Sequence, residues 1–328
     1  MLGSGSYASV YKARCMKTNT FVAMKAVELN EDGGLPANSM REVALMKEVC
    51  HPNVLGLLDF IPTAQDLLIF SELCEWNLRE YMKQHGGRLT HETTQSFMSQ
   101  LLSGLEYLHS KSILHRDLKS PNLLIKKDLQ LKIADFGLSK VLILGPLQAY
   151  DVATLWYRSP DVLMGSRTYG TSIDMWSSGC LFVEMFLGDA PFRGKTEAEQ
   201  LMYIVRVIGT PNQQVLDSIA PDYVSGFCSS NITPAKAYLP VSCPSLIKSP
   251  ALSLIDHLMQ FDPAARISAA DAVKHPYFSG DGREAAIAAA PVPHYNFQAL
   301  TQAQALPQDQ ALPRTRARRR AKKSGARN

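Results

Sequence analysis

His115-Arg116-Asp117-Leu118-Lys119-Ser120-Pro121-Asn122, followed by Asp135-Phe136-Gly137, is the stretch on which the reading of this chain turns. It brings a carboxylate, an ammonium, an amide and a second carboxylate into one short segment. Moving a phosphoryl group from a magnesium nucleotide to a hydroxyl needs little covalent chemistry from a protein. It needs a base to orient the hydroxyl, metal ligands, and positive charge beside the phosphate oxygens. Asp117 can accept the proton, Lys119 can sit against the transferring phosphate, and Asn122 and Asp135 can hold Mg2+. Each string alone could arise in an ordinary loop, but the spacing of all four is hard to obtain by accident.

Size and composition leave room for that chemistry. The 328 residues, 46% hydrophobic and 20% charged, can form a large domain or two lobes around an ample core. No run of 18 apolar residues occurs, so the expectation is no membrane span. The N-terminus has no basic segment leading into an apolar one, so no secretory signal is read there. Six scattered cysteines (15, 50, 74, 180, 228 and 243) form no CxxC pair, which points away from structural zinc and toward reduced thiols. The sequon at Asn231 is therefore read as incidental. Residues 314–328 carry eight Lys or Arg and no acid, leaving 26 basic against 30 acidic residues elsewhere, so the net +4 belongs to a tail.

Residues 1–73 read mostly as strands, residues 74–278 mostly as helices, and residues 279–328 as a disordered basic tail. Tyr7–Arg14 and Phe21–Leu29 have strand composition and flank a polar turn at Lys17-Thr18-Asn19-Thr20. From Ser39 to Val49 the apolar residues recur at helical spacing, with Ser39 placed to cap the helix. Leu67–Leu73 reads as a buried strand, and Leu123–Ile125 and Leu131–Ala134 as short strands flanking the chemistry. Thr93–Ser110 repeats apolar residues at 97, 101, 105 and 108, and Ile173–Leu187 is a nearly all-apolar helix. The fold class is α+β, with a small β-rich lobe before a larger helical one.

Near the N-terminus, Leu2-Gly3-Ser4-Gly5-Ser6-Tyr7-Ala8-Ser9-Val10 has glycines that let backbone N–H groups approach phosphates, although Ala8 stands where a third glycine would complete GxGxxG. Downstream, Val22-Ala23-Met24-Lys25 sets a lysine in an apolar strand. A lysine taken out of water needs an anionic partner, and Glu42 on the following helix can supply one.

Together these residues resemble a eukaryotic protein kinase across residues 2–278. Pro36-Ala37-Asn38-Ser39-Met40-Arg41-Glu42 stands where cyclin-dependent kinases carry PSTAIRE. Trp156-Tyr157-Arg158-Ser159-Pro160-Asp161, Asp174-Met175-Trp176-Ser177-Ser178-Gly179-Cys180 and Gly209-Thr210-Pro211-Asn212 are similar to the same CMGC branch. The resemblance implies the bilobal protein-kinase fold, ATP and Mg2+ as the cofactors, and transfer to Ser or Thr followed by proline. It implies a cyclin-like activating subunit at the Pro36–Glu42 segment and no need for nucleic acid. By matching position, Lys25 would hold the α- and β-phosphates with Glu42 orienting it, under a loop built on Gly3 and Gly5. Asp117 would be the base, Lys119 the phosphate contact, and Asn122 and Asp135 the metal ligands. Leu2, Val10, Ala23 and Leu124 would enclose adenine, Glu72 and Cys74 would offer backbone groups to it, and Asn77 would lie near the ribose. Thr154 would brace Asp117 and Lys119. Asp161 with Arg266 would replace the Glu–Arg pair that ties down the activation segment, and Arg158 with Val152 and Ala153 would shape the proline pocket.

Several positions depart from that pattern. No Ser or Thr occurs from Val141 to Ala153, and Ala149 falls where the activating threonine is expected. Arg41 and Arg116 remain as phosphate ligands but Lys140 replaces the third arginine, a poorer bidentate partner. The expectation is that partner binding orders this loop without phosphorylation, with Asp151 supplying negative charge and Tyr150 the remaining acceptor. Ser6 and Tyr7 match an inhibitory phosphorylation pair, or are plain loop residues. A gapless register puts Ser71 at the back of the nucleotide pocket; one extra hinge residue would put Phe70 there. With Ser71, the cleft would accept N6-bulky ATP analogues. Asn77 replaces an aspartate, Ser120-Pro121 replaces Pro-Gln, and the first strand reads as shortened before Leu2. Arg314–Lys323 resembles a nuclear-localisation run, giving nucleus and cytoplasm as the expected locations. The alternative to an active kinase is a catalytically weak scaffold that binds a cyclin-like partner.

Overall fold

The computed structural model describes residues 3–4, 8–29, 34–141, 155–166, 170–219 and 250–279. Leu2, Gly5, Ser6, Tyr7, residues 149–153, Thr154, Asn231 and the basic tail lie outside them, as do the expectations that rest on those positions.

The N-terminal lobe is a five-stranded antiparallel sheet of β1 (Gly3–Ser4), β2 (Ala8–Arg14), β3 (Phe21–Glu28), β4 (Leu57–Pro62) and β5 (Asp66–Glu72), in the order β1-β2-β3-β5-β4. The polar turn between β2 and β3 is closed by Cys15 and Thr20, with Asn19 at φ 61°, a conformation that asparagine tolerates better than most residues. Helix α1 (Ala37–Glu48) packs across this sheet. Its Val43 joins Val27, Leu67 and Ile69 in a small apolar cluster, while Leu45, Met46 and Val49 reach into the much larger core of the second lobe. The helix starts three residues earlier than a cap at Ser39 would place it. Pro36 is the cap residue, with no side-chain cap bond, and Ser39 is buried inside the first turns.

The second lobe is built on α3 (His91–Ser110) and α5 (Ser172–Leu187), which pack against each other. Phe97, Leu101, Leu105 and Leu108, the periodic residues of α3, are all fully buried. Thr90 caps α3 through the Thr93 N–H. Helix α5 is buried on every side, as an almost uniformly apolar helix must be. Before α3 lie β6 (Trp76–Asn77) and α2 (Leu78–Gln84), and between α3 and α5 run β7 (Ile113–Leu114), the one-turn 3-10 helix Ser120–Asn122, β8 (Leu123–Ile125), β9 (Leu131–Ile133), β10 (Lys140–Val141) and the short helix α4 (Pro160–Leu163). Gly104 lets α3 approach β9, because a Cβ there would lie 2.7 Å from Ile133 Cδ1. That close contact fixes the strand leading into Asp135. No helix among the described residues is long and apolar enough to cross a membrane.

Candidate active site

Four chain segments deliver the side chains singled out by sequence. Strand β3 carries Lys25, and α1 carries Glu42. Lys25 Nζ donates to both carboxylate oxygens of Glu42, at 2.9 and 2.7 Å. Burial alone would pull the Lys25 ammonium down, but the charges of Glu42 and Asp135 outweigh it and hold the group above its ordinary value. The lysine is therefore a fixed cation at the back of the cleft. Its neighbour Arg41 donates to the carbonyl of Gly137 at 3.1 Å. Two consecutive residues of α1 thus fasten it to β3 on one side and to the segment after Asp135 on the other.

The catalytic-loop cluster is equally tight. Asp117 Oδ2 accepts from Lys119 Nζ at 2.7 Å and from Asn122 Nδ2 at 3.1 Å, and Asn122 Nδ2 also donates to the Asp117 carbonyl at 2.8 Å. Asn122 turns its amide nitrogen toward Asp117, which leaves its Oδ1 as an acceptor. Asp117 Oδ1 has no donor among the described residues. The Asp135 carboxylate accepts no hydrogen bond from any described residue, yet it lies close enough to act electrostatically on Lys25 and Glu42. An amide oxygen and a free carboxylate at one cleft suit Mg2+, which keeps few protein ligands and shares the rest with phosphate and water. The residues present therefore fit Mg-ATP.

The backbone around these groups is strained where it matters. Arg116 and Asp135 have φ of 69° and 70°, left-handed values that are uncommon for residues with a Cβ. Asp174 at the start of α5 supports the first of them. Its Oδ2 accepts from the His115 N–H (3.0 Å) and meets His109 Nε2 (2.9 Å), while Oδ1 accepts from the Arg116 N–H (2.9 Å). Burial would raise the Asp174 carboxyl, but the His109 hydrogen bond, with the charges and backbone bonds beside it, holds it below the usual value. His115 is fully buried; its ring meets the Ala134 carbonyl at 2.9 Å and packs edge-on to Phe136. Sequence reading quoted Asp174 only as part of a string. An acid near the start of an almost wholly apolar helix is itself the signal, since a buried carboxylate requires donors.

The nucleotide-side positions are placed by strand register. Val10 pairs with Lys25 across β2 and β3, and Ala23 pairs with Ser71 across β3 and β5. Directly opposed residues share a face, so Ser71 lies on the face of Ala23 and Lys25, whereas Phe70, opposite Met24, lies on the other. The gapless register is the one observed. Gly3 opposes Val10 in the β1–β2 pair. Leu124 is partly buried in β8. The Glu72 side chain is bound to Lys132 at 2.8 Å and to the Gly56 N–H at 3.0 Å, leaving its backbone as its contribution at the hinge. Burial, aided by the Glu72 charge, pushes the Cys74 thiol up to about 12, so it stays protonated. Asn77 caps α2 (Leu78–Gln84) in a reciprocal box with Glu80, which commits its side-chain oxygen and leaves only its amide N–H groups for a ribose. Asp161 and Arg266 meet at 2.7 Å with both side chains buried.

The chain and its two-lobed fold are similar to known proteins. The protein kinase domain family matches residues 1–278. The chain belongs to the protein kinase family. The kinase is 40% identical over 295 residues to a cell division control protein 2 homolog, homolog 1 of Trypanosoma brucei brucei, covering 85% of this chain and 96% of that protein. Its fold matches a chain in the crystal structure of the yeast RNA Pol II CTD kinase CTDK-1 complex, with a TM-score of 0.75, 33% identity, and coverage of 84% of this chain and 90% of that one. The kinase is cyclin-dependent-kinase-like and acts on serine or threonine.

Proposed function

We propose that this kinase transfers the ATP γ-phosphoryl group to Ser or Thr followed by proline, when a cyclin-like subunit seats against α1. The observation that carries the proposal is the Asp117 carboxylate, one oxygen held by Lys119 and Asn122 and the other without a donor among the described residues. Mg-ATP, when bound, supplies the phosphoryl group and the positive charge of its metal. In this reading Lys25, kept charged by Glu42, holds the α- and β-phosphates, and Asn122 Oδ1 with Asp135 holds the metal. Asp117 Oδ1 orients the attacking hydroxyl and takes its proton, while Lys119 offsets negative charge growing on the transferred group. Val10, Ala23 and Leu124 enclose the adenine, with backbone groups of Glu72 and Cys74 beside it. Arg158, whose side chain is fixed by Glu197 at 2.8 Å, borders the pocket for proline.

The partner reading rests on how α1 is held. Its C-terminal half is anchored in the large core, but its first turns depend on polar contacts from Arg41 and Glu42. Met40, the preceding residue, is 50% exposed. A subunit covering Met40 would stabilise the orientation that both polar contacts require. Arg41 and Arg116 already donate to the carbonyls of Gly137 and Leu138, which supports a loop ordered by the partner without a phosphate. The test is phosphorylation of a Ser-Pro peptide library by the full chain, alone and with candidate cyclins, after phosphatase treatment. Cyclin-dependent incorporation that survives the phosphatase and is lost when Ala replaces the proline is expected. A strict need for an upstream kinase would overturn the phosphate-free part.

A further inference from the structure

Ser120 is fully buried, and its hydroxyl donates to Glu184 Oε1 at 2.8 Å. Tyr157 OH donates to the other carboxylate oxygen, Oε2, at 2.7 Å, and lies 3.2 Å from the Ser120 hydroxyl. Tyr157 is 5% and Glu184 4% exposed, so the three form a closed buried triad. Its members come from three elements. Ser120 opens the 3-10 turn between Lys119 and Asn122, Tyr157 ends the 155–157 segment on the substrate side, and Glu184 lies on α5.

Helix α5 therefore touches the catalytic loop twice. Asp174 holds its beginning through the His115 and Arg116 N–H groups, and Glu184 holds its end through Ser120. The two acids are ten positions apart, roughly 15 Å along a helix. The second attachment depends on a hydroxyl at position 120. Tyr157 is in turn fixed at both ends, by Glu184 at its phenol and by Ser177 Oγ, which donates to its carbonyl at 2.9 Å. Burial of Glu184 raises its carboxyl, and two neutral donors satisfy it only partly. Losing the Ser120 donor leaves a buried acid short of a partner and releases the loop bearing Asp117 from its attachment to α5.

We infer that Ser120, Tyr157 and Glu184 are positioning residues that fix the end of the catalytic loop and the substrate-side segment to one anchor, and so set the distance between the base and the acceptor hydroxyl. This rests on reading Asp117 as the base. The side chains of all three are committed to one another in the buried triad and none is a nucleotide contact in that reading, so the larger effect falls on kcat.

The experiment compares wild type, Ser120→Ala, Tyr157→Phe and the double variant, as full chains with the cyclin giving the highest wild-type rate. It uses a Ser-Pro peptide, with Asp117→Asn as control. Each single variant is expected to lower kcat about tenfold, the size of effect a small misalignment produces. KM for Mg-ATP should stay within about twofold, and the double variant should lose less than the product of the singles. Hydrogen exchange of amides 117–122 should quicken in Ser120→Ala while residues 97–108 of α3 keep their protection. Unchanged kcat with unchanged exchange at 117–122, or losses that multiply independently, would overturn the inference. If Ser120→Ala melts early, Tyr157→Phe decides by the same kcat and KM criteria. Activity persisting in Asp117→Asn would instead refute the assignment of the base.

Discussion

Asp174→Ala is expected to cut kcat by about a hundredfold or more and to destabilise the kinase by about 3–5 kcal/mol. The carboxylate is buried and serves three partners: the His115 and Arg116 N–H groups and the His109 ring. Alanine leaves two backbone donors without an acceptor, and each such loss costs about 1–3 kcal/mol. Arg116 sits at φ 69°, a strained conformation that persists only while neighbours enforce it. Freed from Asp174, that residue can relax toward negative φ, and Asp117, the next residue, moves with it. Asp174→Asn should recover part of the stability through its one acceptor oxygen and little of the activity. The pH dependence has a defined sign. The Asp174 carboxyl is lowered, so its stabilisation is complete above the ordinary aspartate pKa of about 3.9 and is lost as pH falls through the lowered value. Chemical denaturation of wild type and Asp174→Ala should therefore diverge at neutral pH and converge in acid. Equal stability at pH 7 would show that the carboxylate does not hold the loop.

The second large effect lies at Arg266. Its guanidinium donates to Asp161 Oδ1 at 2.7 Å, to the carbonyls of Gln260 and Phe261 at 2.7 and 3.0 Å, and to Ser172 O at 3.2 Å. It also lies over the Trp176 ring at 5.2 Å. This one side chain joins the start of the short helix Pro160–Leu163, the start of α5 and the 260–261 segment. Arg266→Met should cost about 3–5 kcal/mol, mostly because the buried Asp161 carboxylate is left without a donor. Asp161 Oδ2 already lacks a hydrogen-bond partner, so the aspartate engages the arginine with one oxygen only. The double change Asp161→Asn with Arg266→Met should therefore be more stable than Arg266→Met alone. Urea unfolding of the four proteins measures the coupling; strictly additive losses would mean that the pair contributes as separate packing residues.

Much of this architecture was legible because the relevant signals are local. The strand composition of β2 and β3, the period of α3 and the apolar run of α5 each specify an element. The catalytic loop was legible because its chemistry needs particular side chains at fixed spacing. What escaped was set by tertiary contacts. Ser39 followed by Glu42 has the form of a capping box, but Glu42 is drawn to Lys25 and the helix begins at Ala37 instead. Strand β4 has a register shift between Leu57 and Asp59, and Leu58 and Ile61 are exposed at the sheet edge, so its sequence shows no clean period of two. Ser120 read only as part of a replacement for Pro-Gln, because its partner Glu184 lies 64 residues away. Asp174 and Glu184 shared one missed signal, two acids in a helix otherwise made to be buried.

The central claim is that Asp117 in this cleft serves phosphoryl transfer. The most direct measurement is Mg-ATP-dependent phosphate incorporation into a Ser-Pro peptide by the full chain with a cyclin, wild type beside Asp117→Asn, with nucleotide binding followed on the same samples. The prediction is robust wild-type incorporation and a loss of at least about a thousandfold in Asp117→Asn, with nucleotide binding and melting unchanged. Equal incorporation by both proteins, or nucleotide binding without turnover in the wild type under every cyclin, would contradict it.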